Sequence, residues 1–151
     1  MSLIQKTFEF ATAEETVLFG KNVGARLRAG DVVVLVGELG AGKTTLTRGI
    51  ASGMGVTGRV SSPTFILARV HPPGMSGVGL VHVDAYRLAG DIEQLDDLDL
   101  ERELDRSAIV MEWGEGLAHR LASDYSVIRL HRREDDVRVV KIEWRGATLV
   151  E

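Results

Sequence analysis

A three-layer α/β fold follows from three features of the 151-residue chain: a largely parallel central sheet, with antiparallel strands at its C-terminal end. Residues 32–36, Val-Val-Val-Leu-Val, form an unbroken and mostly β-branched apolar run, the pattern of a strand covered on both faces. A glycine-rich loop and an amphipathic helical pattern follow it directly, and strand and helix patterns alternate through the first two thirds of the chain. Near the C-terminus, strand patterns at 125–130 and 137–144 flank the polar connection 131–136, as in a hairpin. No repeat or domain-sized linker interrupts the sequence, so a single domain over residues 1–151 is expected.

Each element has a local cause. Thr12-Ala-Glu-Glu15 reads as a capping box, in which Thr12 and Glu15 satisfy backbone N–H groups and open a helix reaching about Leu27. Gly30-Asp31 turns the chain into the strand at 32–36. Beyond the glycine loop, Leu46, Ile50 and Met54 recur every four residues with Thr47 and Ala51 beside them, one apolar stripe for packing on the sheet. Gly53, Gly55 and Gly58 are expected to break that helix, and Gly49 within it to allow close packing. Further strands are expected at 65–70, 78–83 and 108–111, with an exposed loop from His71-Pro-Pro-Gly74 to Gly79.

Composition excludes several classes of function. Seventeen glycines exceed the usual ~7%, but seven of them lie between Gly37 and Gly58, so the excess is local and not that of a low-complexity chain. Without cysteine there is no disulfide framework, Cys-ligated zinc or thiol nucleophile. The four histidines are scattered, none paired at zinc-ligand spacing. The first ten residues lack the apolar segment of a signal peptide, and no apolar run approaches the ~20 residues of a membrane span, so a soluble cytoplasmic protein is expected. Residues 91–105 hold eight acids and only Arg102 as a base, a net of −7 against −4 for the whole chain. That balance argues against direct DNA or RNA binding, which relies on basic surface. The acidic stretch is either a solvated helix face or a docking surface for a basic partner.

The chemistry concentrates at Gly37-Glu-Leu-Gly-Ala-Gly-Lys-Thr44, a complete G-x-x-x-x-G-K-[ST] phosphate loop between a buried strand and a helix. Gly37, Gly40 and Gly42 allow the backbone to curl so that successive N–H groups face phosphate oxygens. The helix start near Lys43 adds partial positive charge. Lys43 is placed for the β- and γ-phosphates, and the Thr44 hydroxyl for Mg²⁺. The nucleotide-binding set is therefore Glu38, Gly40, Ala41, Gly42, Lys43, Thr44 and Thr45, on a fold of the P-loop NTPase type.

Such a loop needs acidic partners at neighbouring strand ends. Val81-His-Val-Asp84 ends in Asp84 and Ile109-Val-Met-Glu112 in Glu112, and either carboxylate could bind Mg²⁺ while the other orients water or acts as base. In Ser61-Ser-Pro-Thr-Phe65, Pro63 stiffens the backbone and Thr64 could reach a γ-phosphate or its Mg²⁺, as switch loops do.

These residues together resemble the TsaE (YjeE) family: Gly37 to Thr45 with Arg48-Gly49, Ser62-Pro-Thr-Phe65, His82-Val-Asp-Ala-Tyr-Arg-Leu88, Glu112-Trp113, and Glu15-Thr16 in the first helix. The resemblance implies a small ATPase of tRNA threonylcarbamoyladenosine formation. It would act with TsaB and TsaD partners, meet tRNA only through them, and supply an ATP-driven reset between turnovers. It further implies Lys43 on phosphate, Thr44 and Glu112 around Mg²⁺, Asp84 in hydrolysis, Ser62 to Thr64 as the switch, and Trp113 beside the nucleotide. Gly114 departs from the Pro that commonly follows Glu-Trp in the family.

Three other classes compete with this reading. A small-molecule P-loop kinase needs an Arg-bearing lid and an acceptor pocket, for which 151 residues leave little room. A GTPase needs an Asn-Lys-x-Asp motif, and the only asparagine, Asn22, precedes the loop. A non-hydrolysing adaptor would keep Lys43 and Thr44 without requiring Asp84.

Overall fold

The computed structural model describes residues 3–38, 40–56, 68–84, 99–113 and 116–144. In chain order these form β1 (Ile4–Phe10), α1 (Ala13–Arg26), β2 (Val32–Val36), α2 (Lys43–Met54), β3 (Ala68–His71), β4 (Gly79–Asp84), β5 (Ser107–Glu112), β6 (Ser126–Arg132) and β7 (Arg138–Trp144). Single helical turns lie at Leu100–Glu103 and Ala118–Arg120. The strands make one sheet in the order β1-β7-β6-β2-β5-β4-β3. Its centre, β6-β2-β5-β4, is parallel, whereas β3, β7 and β1 pair antiparallel at the two edges.

The largely parallel sheet therefore stands, with two differences at one edge. The C-terminal strands do pair antiparallel as a hairpin, but the hairpin attaches to the rest of the sheet through a parallel strand. β6 joins β2 in parallel, and only β7 turns back. Beyond β7 lies β1, at Ile4–Phe10, where the patterning arguments above place no strand. Its signal is the alternation of Phe8 and Phe10 with Thr7 and Glu9, weak because Lys6 interrupts it and the strand is mostly exposed. The expected strand at 65–70 is met by β3 from Ala68, its earlier residues lying outside those described.

Period-two alternation divides the core into two layers. Val33, Leu35, Leu80, Val110 and Ile128 face α1 and α2, packing with Phe19, Val23, Leu46, Ile50 and Met54. Val32, Val34, Val81, Val83, Ile109 and Met111 face the other side, where Leu100 and Ala118 cover them. Thr12 caps α1 as anticipated: its hydroxyl accepts from Glu15 N–H at 3.2 Å, and the Glu15 carboxylate accepts from Ala11 N–H at 3.3 Å.

Helices α1 and α2 approach at backbone distance through glycines on both. The buried face of α1 is Thr16, Phe19, Gly20, Val23 and Gly24, spaced i, i+3, i+4, i+7, i+8. A Cβ on Gly20 would lie 2.6 Å from the Leu46 carbonyl oxygen, and one on Gly49 would lie 2.4 Å from that of Val17. Gly53 plays the same part and is not the helix breaker expected. It sits inside α2, where a Cβ would meet the Lys21 oxygen at 2.1 Å. The left-handed residue that ends α2 is Gly55, at φ 68°. Gly58 lies outside the described residues.

Gly49→Ala is expected to lower stability by about 1–3 kcal/mol through overpacking, although Ala favours a helix by about 1 kcal/mol over Gly. Ser52→Ala, on the exposed side of α2, should stay within about 0.5 kcal/mol of the parent. Urea unfolding of both variants checks this, and equal midpoints would refute a close helix contact.

Candidate functional site

The phosphate loop leaves the carboxyl end of β2, the central position at which parallel sheets bind ligands. Gly40 and Gly42 take φ of 85° and 107°, conformations that L side chains rarely adopt, and they turn the chain back into α2. Gly42 is the helix N-cap and supplies no capping side chain. The first N–H groups of α2 consequently keep their donor capacity for an anion. Ala41 is buried beneath the loop, and Thr44 and Thr45 are half-buried in the first helical turn.

Glu38 does not turn its side chain into this cradle. Its carboxylate accepts from Arg132 N–H at 3.2 Å and lies 3.3 Å from His131 Nδ1, tying the exposed loop to the end of β6. The backbone N–H groups of Glu38 itself and of Arg132 hold this carboxyl below the usual range.

Lys43 is buried to 8% exposure. Its ammonium donates to the Gly37 carbonyl at 2.7 Å and sits 4.2 Å from the centre of the Trp113 ring. Trp113 follows β5 and has φ 61°, in the left-handed region that a bulky residue enters only at a cost of order 1 kcal/mol. That turn carries a 46%-exposed indole across to the phosphate loop. Strand register explains the rest of the cluster. Asp84 and Glu112 are paired neighbours at the carboxyl ends of β4 and β5, and Glu112 is also in register with Leu35 of β2.

Glu112 is buried, and its Oε2 lies 2.7 Å from Nε2 of the fully buried His82. This pairing is absent from the sequence reading, although its signal was present. His82 is two residues before Asp84, so β alternation puts both on one face of the sheet with Glu112. Asp84 is half-buried. The structure thus gathers Lys43, Thr44, Asp84, Glu112 and Trp113 at one edge, while Thr64 lies outside the described residues. Also outside are residues 91–98 of the acidic stretch. Among the described part, Asp99 pairs with Arg102 and Glu103 with Arg106.

The donor set suits a magnesium triphosphate. A hard cation that keeps several waters takes one or two protein oxygens, and Thr44, Asp84 and Glu112 are all oxygen donors. Among the described residues no cluster of three or more His, Cys, Asp or Glu forms a dedicated metal cage. The glycine-walled loop and the uncapped helix start suit the phosphates.

Comparison with known proteins agrees in fold and family. A model for "Threonylcarbamoyl adenosine biosynthesis protein TsaE" matches residues 10–144. The tRNA threonylcarbamoyladenosine biosynthesis protein TsaE of Streptomyces coelicolor is 52% identical over 131 residues, 84% of this chain and 88% of that protein. The Bacillus subtilis protein of the same name is 36% identical over 128 residues, 84% and 78% of the two chains. A crystal structure of YdiB from Bacillus subtilis has a TM-score of 0.77 at 30% identity, covering 97% of this chain and 89% of that one.

Removing Glu112 leaves a buried imidazole without its partner. Glu112→Ala is expected to cost about 1–3 kcal/mol, and a double-mutant cycle with His82→Ala should show coupling of at least about 0.5 kcal/mol. Additive losses in urea unfolding would deny the pair any energetic role.

Proposed function

The chain belongs to the TsaE family, and from that premise we propose that it is a Mg²⁺-dependent ATPase serving tRNA threonylcarbamoyladenosine biosynthesis with a TsaB–TsaD-type complex. The family's role in that biosynthesis is the framework. The observation that carries the ATPase reading is the convergence of the phosphate loop, buried Lys43 and the Asp84–Glu112 strand ends on one sheet edge.

In this reading the loop N–H groups and the start of α2 hold the phosphates, with the backbone from Glu38 to Gly42 and the Thr45 side providing the cradle. Lys43 exchanges the Gly37 carbonyl for β- and γ-phosphate oxygens and neutralises their charge. Thr44 and Glu112 would hold Mg²⁺, which supplies further neutralisation of the transferring phosphoryl group. His82 keeps the Glu112 carboxylate oriented from beneath. Asp84, beside Glu112, orients the attacking water and accepts its proton. Trp113 flanks the phosphates as their neighbour, and Thr64 contributes the γ-phosphate sensor.

A net charge of −4 favours an indirect relation to tRNA, reached through the partner proteins and not through a surface of this chain. The acidic segment from Asp91 to Asp105 is a candidate for meeting those partners. Among the described residues, no helix is long and apolar enough to cross a membrane, and the proposed site of action is the cytoplasm, where tRNA is modified.

Mg²⁺-ATP at a hundred times its Kd should raise the melting temperature by roughly 5–10 °C through linkage. Lys43→Ala should lose most of that shift, and an unchanged shift would refute the phosphate-loop assignment. In cells depleted of the protein, threonylcarbamoyladenosine in bulk tRNA should fall, as measured by mass spectrometry. Wild type should restore it, whereas Asp84→Ala should bind ATP and fail to restore it. Restoration by Asp84→Ala would move the hydrolytic role elsewhere, and normal levels after depletion would overturn the function.

A further inference from the structure

Strand β6 outlasts its neighbour β2. Their parallel pairing ends where Val36 meets Arg129, and β6 runs on to Arg132 while the other chain segment turns into the phosphate loop. N–H groups along a strand point alternately to its two sides. Arg133 N–H donates across the hairpin to the Val137 carbonyl at 2.9 Å, so Arg132 N–H points the other way, to the side that β2 has vacated. A strand N–H in that position has lost its ladder partner and needs another acceptor. The Glu38 carboxylate, 94 residues away in sequence, accepts from it at 3.2 Å in place of a strand carbonyl.

The backbone of Glu38 starts the curl of the loop. Its carbonyl accepts from Ala41 N–H at 3.1 Å, closing a turn through Gly40, whose φ of 85° permits the bend. One residue earlier, Gly37 lies so close to β6 that a Cβ would stand 2.7 Å from the Leu130 carbonyl oxygen. The anchor on β6 is itself stiff. Asp136 N–H donates to the Arg133 carbonyl at 3.0 Å, and the Asp136 carboxylate accepts from Arg132 Nε at 2.6 Å and from Arg138 at 3.1 Å. The loop thus leaves the sheet against a fixed strand and curls from a fixed residue.

We propose that Glu38 is a positioning residue for phosphate binding, its carboxylate fastening the start of the loop to β6 so that the curl from Gly40 to Lys43 stands formed before the phosphates arrive. This role rests on the phosphate-loop reading above. The Glu38 side chain acts through the backbone and not by contact with the ligand, whose negative charge a carboxylate would repel. N–H donors held in place beforehand bind an anion without an ordering cost at the moment of binding.

Glu38→Ala and Glu38→Gln remove the same charge, and only Gln keeps an oxygen that can accept from Arg132 N–H. Their difference therefore reads the hydrogen bonding and not the charge. In calorimetric titration of the full chain, Glu38→Ala should bind Mg²⁺-tripolyphosphate and Mg²⁺-ADP each about fivefold more weakly than Glu38→Gln does, the value of one hydrogen bond. In amide hydrogen exchange followed by NMR, Arg132 should lose protection in Glu38→Ala and keep it in Glu38→Gln, while Arg133, bonded to Val137, stays protected in both. Equal affinities in the two variants would overturn the proposal, as would an Arg132 amide that exchanges alike in both. Lys43→Ala separates this role from the reading beneath it. If that variant keeps its affinity for tripolyphosphate, the phosphate-loop reading fails and the proposal with it. If it loses that affinity while the two Glu38 variants bind equally, only the positioning role falls.

Discussion

The close approach of α1 and α2 is the constraint on which the rest of the molecule depends. Gly20 meets the Leu46 carbonyl and Gly49 that of Val17 at distances no side chain could occupy. Backbone contact at this range gives many small dispersion gains at once, and it leaves little freedom in how one helix sits on the other. Since α2 begins at the phosphate loop, fixing α1 against α2 also fixes the N-terminal end of α1 beside Gly42 and Thr45. The local glycine excess serves two purposes accordingly. Some glycines bend the loop, and others let the neighbouring helix reach it.

A second consequence concerns charge. Lys43 is buried, where an isolated ammonium would be expensive. The Gly37 carbonyl and the Trp113 ring face offset that cost within the protein. Glu112 is likewise buried and is compensated by His82. The site therefore holds opposite charges in a low-polarity setting with partners that are neutral, or only conditionally charged. In the proposed function, phosphates and a divalent cation would be the stronger partners for the two groups. Trp113 contributes through a left-handed backbone turn, a local cost consistent with a residue held for its position over the loop.

The legibility of this protein in its sequence followed the range of the interactions. The loop from Gly37 to Thr45, the cap at Thr12, the strand at 32–36 and the apolar stripe of α2 each arise from neighbours in the chain, and each could be read directly. Asp84 and Glu112 were legible as strand ends, because an apolar run stopping at a carboxylate is a local pattern. Their adjacency was not, since it depends on β4 and β5 pairing in parallel at one register. His82 was hidden for the same reason, and Gly53 was misjudged because its neighbour, the Lys21 carbonyl, belongs to another helix.

By itself, then, the sequence determined the α/β class, the phosphate loop and the residue types available to its chemistry, all consequences of short-range backbone and side-chain preferences. Only the tertiary structure decided the sheet order, with β6 entering parallel to β2 and β1 closing the edge. It also decided which acids stand together and which partner holds Glu112. Those features join residues 28 to 140 positions apart. Long-range contacts of that kind are selected by the burial of whole faces against one another, a property that no short stretch of sequence carries.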